Sequence, residues 1–222
     1  MASKNIVVVG ASGHAKVVID IIEKEARYHL VGLIDTYRPA GDTSFDYPVV
    51  GTEAELPTLS KSLNLYGCFI AIGDNWRRNL VAQKIMELAP ALSFITPIHT
   101  SAEIARGATI GRGTVIMPGA IVNSDSKIGD FCILNTKASL DHDCVMEDFS
   151  SLAPNVTTGG NVRIGAFSAV SLGANIIHKR TIGRHTVIGA GALVLQDIPD
   201  FSVAYGIPAS VVRKRQAGDE YL

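Results

Sequence analysis

The stretch Ile104–Leu134, "IARGATIGRGTVIMPGAIVNSDSKIGDFCIL", places an aliphatic residue at every sixth position: Ile104, Ile110, Ile116, Val122, Ile128 and Leu134. Neither an amphipathic helix nor an ordinary strand keeps a period of six. Short strands that turn a corner every six residues do, because each aliphatic side chain then points into a narrow prism. The phase extends back to Ile98 and forward to Val194 without an insertion, and of those seventeen positions only Thr158 is neither aliphatic nor Met. The residue four places on is small through nine successive hexads, Ala102, Ala108, Thr114, Ala120, Ser126, Cys132, Ala138, Cys144 and Ser150, as a backbone bending against that core requires. This is the hexapeptide signature of a parallel β-helix. Three hexads make one coil, so residues 18 apart stack at the inter-strand spacing of a sheet, roughly 4.8 Å.

Upstream the pattern is different. Residues 5–97 alternate strand-like and helix-like segments: "NIVVVG", then "KVVIDIIEKEA" with Val17, Val18, Ile21 and Ile22 on one helical face, then "YHLVGLID", "YPVVG" and "GCFIAIGD", followed by the helix "NWRRNLVAQKIMELA". Such alternation predicts a small parallel α/β sheet with right-handed crossovers. The expected organisation is therefore an α/β domain over 1–97 and a β-helix over 98–222, closed by a tail that leaves the phase after Val194. The basic run "RKR" in that tail reads as a solvated end.

Composition is that of a globular protein, 47% hydrophobic and 18% charged. A net charge of -1 gives no electrostatic case for nucleic acid or an anionic membrane. The apolar run near the N-terminus is too short for a signal peptide or a membrane span. Three cysteines without paired ligand spacing suit a reducing compartment, so a cytoplasmic protein is expected.

Two segments carry chemistry. "GASGHA" follows a strand and opens a helix, where unpaired N–H groups attract an anion. Asp35 lies 22 residues beyond Gly13 at the end of the next strand, about where a ribose-binding carboxylate sits. The turn "IGDNWRR", Ile72–Arg78, closes another strand at the same sheet end, with Asn75 expected to cap the following helix and Arg77 or Arg78 to reach a pyrophosphate. The second segment, "NTKASLDHDCVMEDF", holds His142 between Asp141 and Asp143. Leu140 is the inward residue, so His142 and Asp143 fall on an outward corner. In its column His142 stacks over Ser124 and under Gly160 and His178, and Gly160 is expected to leave a gap in which an extended ligand arm lies. A general base suits the histidine, with Asp143 fixing its tautomer. A metal site with His178 and His185 is disfavoured, since His178 is two coils away. Cys144 occupies the small inward position, where packing alone accounts for it. The hexad pattern assigns Asp141 no role.

With "GASGHA", "AIGDNWRR", "ILNTKASLDHDCVMEDFS" and "YGIPASVVRKR" in this order, the chain resembles the bacterial sialic acid O-acetyltransferase and nucleotide-sugar N-acetyltransferase family. That resemblance implies a Rossmann-like N-terminal domain, a left-handed parallel β-helix and a homotrimer binding acetyl-CoA between neighbouring subunits, with no metal. It implies acetylation of an amino group, on C4 of a nucleotide-linked amino-deoxysugar, with His142 as base and Asp143 as its acid. Ser12, Gly13, His14, Asp35 and Thr36 would hold the nucleotide sugar, together with Gly73, Asn75 and Arg78. Ser151, Gly160, Leu172 and Ala190 would line acetyl-CoA. Two departures stand out: Thr36 where an Asp is common, and Ser151 where some members have a histidine. Rival readings are sugar O-acetylation, a γ-carbonic-anhydrase-like metal enzyme, and a non-catalytic nucleotide-sugar-binding protein.

Overall fold

A computed structural model describes residues 4–220. The chain divides into two compact units, Met1–Thr100 and Ser101–Leu222.

The first unit is built on a six-stranded sheet. Its strands are β1 (Lys4–Val9), β2 (Tyr28–Ile34), β3 (Thr43–Ser44), β4 (Tyr47–Gly51), β5 (Leu65–Ile70) and β6 (Ser93–Phe94). They lie in the order β3-β4-β2-β1-β5-β6, parallel except for the β3–β4 pair. Ile6 through Val9 of β1 are fully buried, as a central parallel strand covered on both faces requires. Helix α1 (Gly13–Glu25) buries Ala15, Val18, Ile19, Ile21 and Ile22, whereas Val17, expected on that face, is exposed. Helix α2 (Leu56–Ser62) has one fully buried residue, Leu56, and so no apolar stripe by which its sequence could announce it. Its signal was the capping box formed by Thr52 and Glu55 just upstream. Helix α3 (Asn75–Leu88) follows β5. The strand order reverses direction at β1, with β2 on one side and β5 on the other, which opens a crevice at the carboxyl ends of β1 and β5.

The second unit contains sixteen two-residue strands at six-residue steps, from Glu103–Ile104 to Leu193–Val194. They assemble into three parallel sheets by pairing residues 18 apart, such as Ile121 with Ser139 and Ile133 with Ser151. This is a left-handed parallel β-helix. The inward column is buried from Ile116 to Val194, while Ile104 on the first coil is partly exposed. Fifteen corner positions, from residue 107 to residue 191 in steps of six, have φ between 51° and 80°. Ten of them are not glycine, although a left-handed residue costs roughly 1–2 kcal/mol. One corner column recovers part of that cost: Phe131, Phe149, Phe167, His185 and Phe201 stack with successive centroids 4.8, 5.3, 4.6 and 4.9 Å apart. Aromatic pairs contribute about 0.5–1.5 kcal/mol each beyond their area.

The tail is only in part the solvated end expected: Arg213 and Lys214 of the basic run are exposed, but the segment is ordered into strands. Strand Ser202–Gly206 joins a coil sheet in parallel beside Val187–Ile188, and Ala209–Lys214 folds back antiparallel to it. Arg215 of the basic run is buried and donates to the Asp219 carbonyl.

Candidate active site

In the first unit the crevice holds a cavity of about 600 Å³, lined by Gly10, Ala11, Ser12, Asp35, Thr36, Glu53, Ile72, Gly73, Arg77 and Lys84 among others. The loop after β1 forms one wall and the loop after β5 another. Helix α1 begins at this loop with no acidic residue in its first turn and no side-chain cap from Ser12. No side chain of the helix's own first turn therefore compensates its leading N–H groups and positive dipole end.

Several expected residues take different places here. Asp35 spends its carboxylate on the chain itself: Oδ2 accepts from Ala11 N (2.9 Å) and Oδ1 from Tyr37 N (2.8 Å) and Arg38 N (3.2 Å). It lines the cavity while tethering the glycine loop to the end of β2. Thr36 donates its hydroxyl to Glu53, a buried acid that also pairs with Lys84 at 3.6 Å. The helix cap is Asp74, which accepts from Arg77 N (2.7 Å), and not Asn75. Asn75 is buried at the first helical position and accepts from Arg78 Nη2 (2.6 Å). Arg78 is itself buried, and Nη1 donates to the carbonyls of Ile72 (2.8 Å) and Gly73 (3.0 Å). Arg78 therefore braces the β5–α3 loop from behind, and Arg77 is the arginine that lines the cavity. Sequence spacing could not separate the two, because only the helix phase decides which of neighbouring arginines turns inward.

His14 lies behind the cavity wall, with Nε2 sealed from solvent and unpaired. Burial, aided by the Arg78 guanidinium, lowers its pKa to about 4, so the ring is neutral near pH 7. A buried polar atom without a partner calls for an explanation, and ligand binding at this loop is proposed as that explanation. His14→Ala is accordingly expected to raise KM for the nucleotide sugar with little change in KM for acetyl-CoA. Steady-state kinetics check this, and unchanged constants would remove His14 from the binding site.

In the second unit His142 and Asp143 stand on an outward corner, their side chains about half exposed. His142 Nδ1 lies 2.8 Å from Asp143 Oδ2. An ionised carboxylate only accepts, so Nδ1 carries the proton and Nε2 is the free lone pair. Asp143 reaches the ring because it occupies the left-handed corner position, φ 56°. This hydrogen bond, with help from the charges of Asp141 and Asp143, raises the imidazole pKa. Asp141 now has a role: Oδ1 accepts from the His142 backbone N–H (2.8 Å) and from Asn123 Nδ2 (3.1 Å).

The gap expected beneath Gly160 is filled by the histidine itself. A Cβ at residue 160 would sit 2.4 Å from His142 Nε2 and 2.5 Å from Cε1. The glycine is there so that the imidazole can lie against the backbone, and no arm fits between them. Cys144 is buried, and burial pushes its thiol pKa up, against a nucleophilic thiolate. His185 belongs to the aromatic column, and among the described residues no group of three His, Cys, Asp or Glu could hold a metal ion. Leu172 (57% exposed) and Ala190 follow the sheet that carries Ser151, on the next corner of the prism from His142. Within one chain the structure does not bring these three together with the His142 corner.

A coiled prism with an acid-backed histidine on its corner, preceded by a doubly wound nucleotide-type crevice, defines a hexapeptide-repeat acyltransferase. The chain belongs to the nucleotide-sugar N-acetyltransferase family of that class. Residues 5–85 match the PglD N-terminal domain family. A mutant of perosamine N-acetyltransferase from Caulobacter crescentus, bound to CoA and GDP-perosamine, superposes with a TM-score of 0.90 at 34% identity, over 96% of this chain and 99% of that one. The acetyltransferase domain of PglB from Neisseria gonorrhoeae, in complex with acetyl coenzyme A, gives 0.86 at 32% identity over 95% and 100% of the two chains. The chain spans about half the length of the curated relatives it matches; for serine acetyltransferase of Bacillus subtilis the share is 58%, at 32% identity over 60% of this chain.

Proposed function

We propose that the protein transfers the acetyl group of acetyl-CoA to an amine on C4 of a nucleotide-linked amino-deoxysugar, with His142 as general base. The observation that carries this reading is the His142–Asp143 pair, an exposed imidazole with its tautomer set and Nε2 held against Gly160. In the reaction the acceptor nitrogen attacks the thioester carbonyl and Nε2 takes a proton as the C–N bond forms. The C–S bond then breaks, and CoA leaves as the thiol once it receives a proton. Backbone N–H groups of the neighbouring coil are the donors proposed for the oxyanion. The nucleotide part would lie in the crevice of the first unit, its phosphates toward the start of α1 and Arg77.

The separation of Leu172, Ala190 and Ser151 from the His142 corner supports an acetyl-CoA site shared between neighbouring copies, and hence a homotrimer. No helix among the described residues is long and apolar enough to cross a membrane, and a cytoplasmic enzyme is part of the proposal. The test is release of CoA thiol from acetyl-CoA against a panel of GDP-, UDP- and dTDP-linked 4-amino sugars and their 4-hydroxy counterparts. Turnover confined to the hydroxy sugars would replace N-acetylation by O-acetylation. Binding of a panel member without thiol release from any would make the chain a sugar-nucleotide-binding protein.

Asp143→Asn should move the pH dependence in a defined direction. The base works unprotonated, so the rate falls as pH drops through the raised imidazole pKa. Replacing the charged acceptor of Asp143 by a neutral amide oxygen weakens that hydrogen bond and lowers the pKa, so the acid limb of kcat/KM shifts to lower pH while the plateau falls. An unmoved limb would show that Asp143 does not tune the histidine.

A further inference from the structure

The inward column from Ile104 to Val194 has one residue that is neither aliphatic nor Met, Thr158, and it is buried. It sits one coil above Leu140, beside the corner that carries His142. The backbone ladder is irregular at the same place. Elsewhere on this sheet the N–H that follows an inward residue donates to the carbonyl one coil up: Ala105 to Val122 (2.9 Å), Asn123 to Leu140 (2.9 Å), Gly159 to Ile176 (2.8 Å) and Ile177 to Val194 (3.2 Å). The Asp141 N–H donates instead to the Thr158 hydroxyl, at 3.1 Å. In consequence Ser139–Thr157 is the one ladder pair at this step, where the other steps of the sheet have two.

The displaced Asp141 peptide is held on every side. Its carbonyl accepts from Ser126 Oγ at 2.5 Å, and its carboxylate takes the His142 N–H and the Asn123 amide. The Thr158 hydroxyl faces Cys144 Sγ at 3.7 Å, and that thiol donates to the Gly159 carbonyl at 3.3 Å. This polar network thus fixes both the peptide before His142 and the glycine pair against which the ring rests.

Resting on the general-base reading above, we propose that Thr158 is a positioning residue for His142. Its hydroxyl takes the place of a backbone acceptor, and this turns the Asp141 peptide so that the carboxylate caps the His142 N–H and the imidazole meets Gly160. Packing alone gives no reason for the hydroxyl, since valine has the same shape and matches the rest of the column.

The experiment compares Thr158→Val and Thr158→Ser with the unmodified full chain. In Thr158→Val the Asp141 N–H can return to the residue-158 carbonyl, as at the other steps of the sheet, so the variant is expected to fold with a Tm little changed and to bind acetyl-CoA with a Kd within about twofold. Its kcat should fall on the order of tenfold or more, because small misplacements of a reacting group are costly in rate. Thr158→Ser keeps the hydroxyl and is expected to restore most of the rate. Titration of the His142 Cε1–H signal by NMR, without substrate, reads the placement independently of turnover: the curve should shift in Thr158→Val and return in Thr158→Ser. A wild-type His142 titration in Thr158→Val overturns the proposal, and so does a rate loss that Thr158→Ser shares. His142→Asn is run in parallel; full activity there would defeat the general-base reading, while the titration still decides whether Thr158 places the ring.

Discussion

His142→Asn is expected to lower kcat by roughly 10²–10⁴-fold, the span that a positioned general base contributes, while acetyl-CoA binding stays measurable. Asparagine suits the test because its amide can still donate to Asp143, so the corner keeps its shape, but nothing at the Nε2 position can take up a proton. The loss belongs in kcat and kcat/KM together, as for an interaction made in the transition state. A stopped assay for free thiol, with isothermal titration of acetyl-CoA alongside, separates the two quantities. Near-normal turnover would sink the assignment, whatever the structural likeness to acetyltransferases.

Gly160→Ala should be almost as damaging, by a different route. The new methyl group would lie 2.4 Å from His142 Nε2, so the ring must swing outward from its seat on the backbone. A shift of about 1 Å in a reacting group costs on the order of a hundredfold in rate. Global stability should change little, because the exposed imidazole moves into solvent. If the glycine instead served only to admit acetyl-CoA, KM for acetyl-CoA would rise and kcat would hold. The same kinetic series therefore distinguishes a seat for the base from a lining of the co-substrate site.

The β-helix was legible because its constraint is periodic: an unbroken hexad phase leaves few ways to bury an aliphatic residue or Met at nearly every sixth position. The His142–Asp143 pair was legible for the same reason, since the phase says which residues leave the core. Stacking by 18 residues named Gly160 as the neighbour of His142, but it could not say that the ring turns onto that glycine. Rotamer choice is a local packing event, invisible to spacing. Asp141 was obscure because its partners, His142 N–H and the Asn123 amide, are one residue and one coil away, and the hexad phase speaks to neither bond. Thr158 was visible as the lone exception in the column, yet its meaning needed the ladder hydrogen bond that its hydroxyl replaces. In the first unit the glycine loop and Asp35 marked the right end of the sheet. That Asp35 holds the loop in place, and that Arg77 faces the cavity in place of Arg78, depended on geometry past the reach of a motif.

The aromatic column from Phe131 to Phe201 bears on how such a chain can change length. A deletion of six residues would rotate everything beyond it by a third of a revolution, splitting the stack and carrying Gly160 away from His142 if it fell between them. Removing or duplicating eighteen returns every ring to a ring and every corner to its own edge. The fold thus counts in whole coils, and growth or shrinkage away from the His142–Gly160 step and from the residues proposed to line acetyl-CoA can alter the prism's height and keep its corners in register.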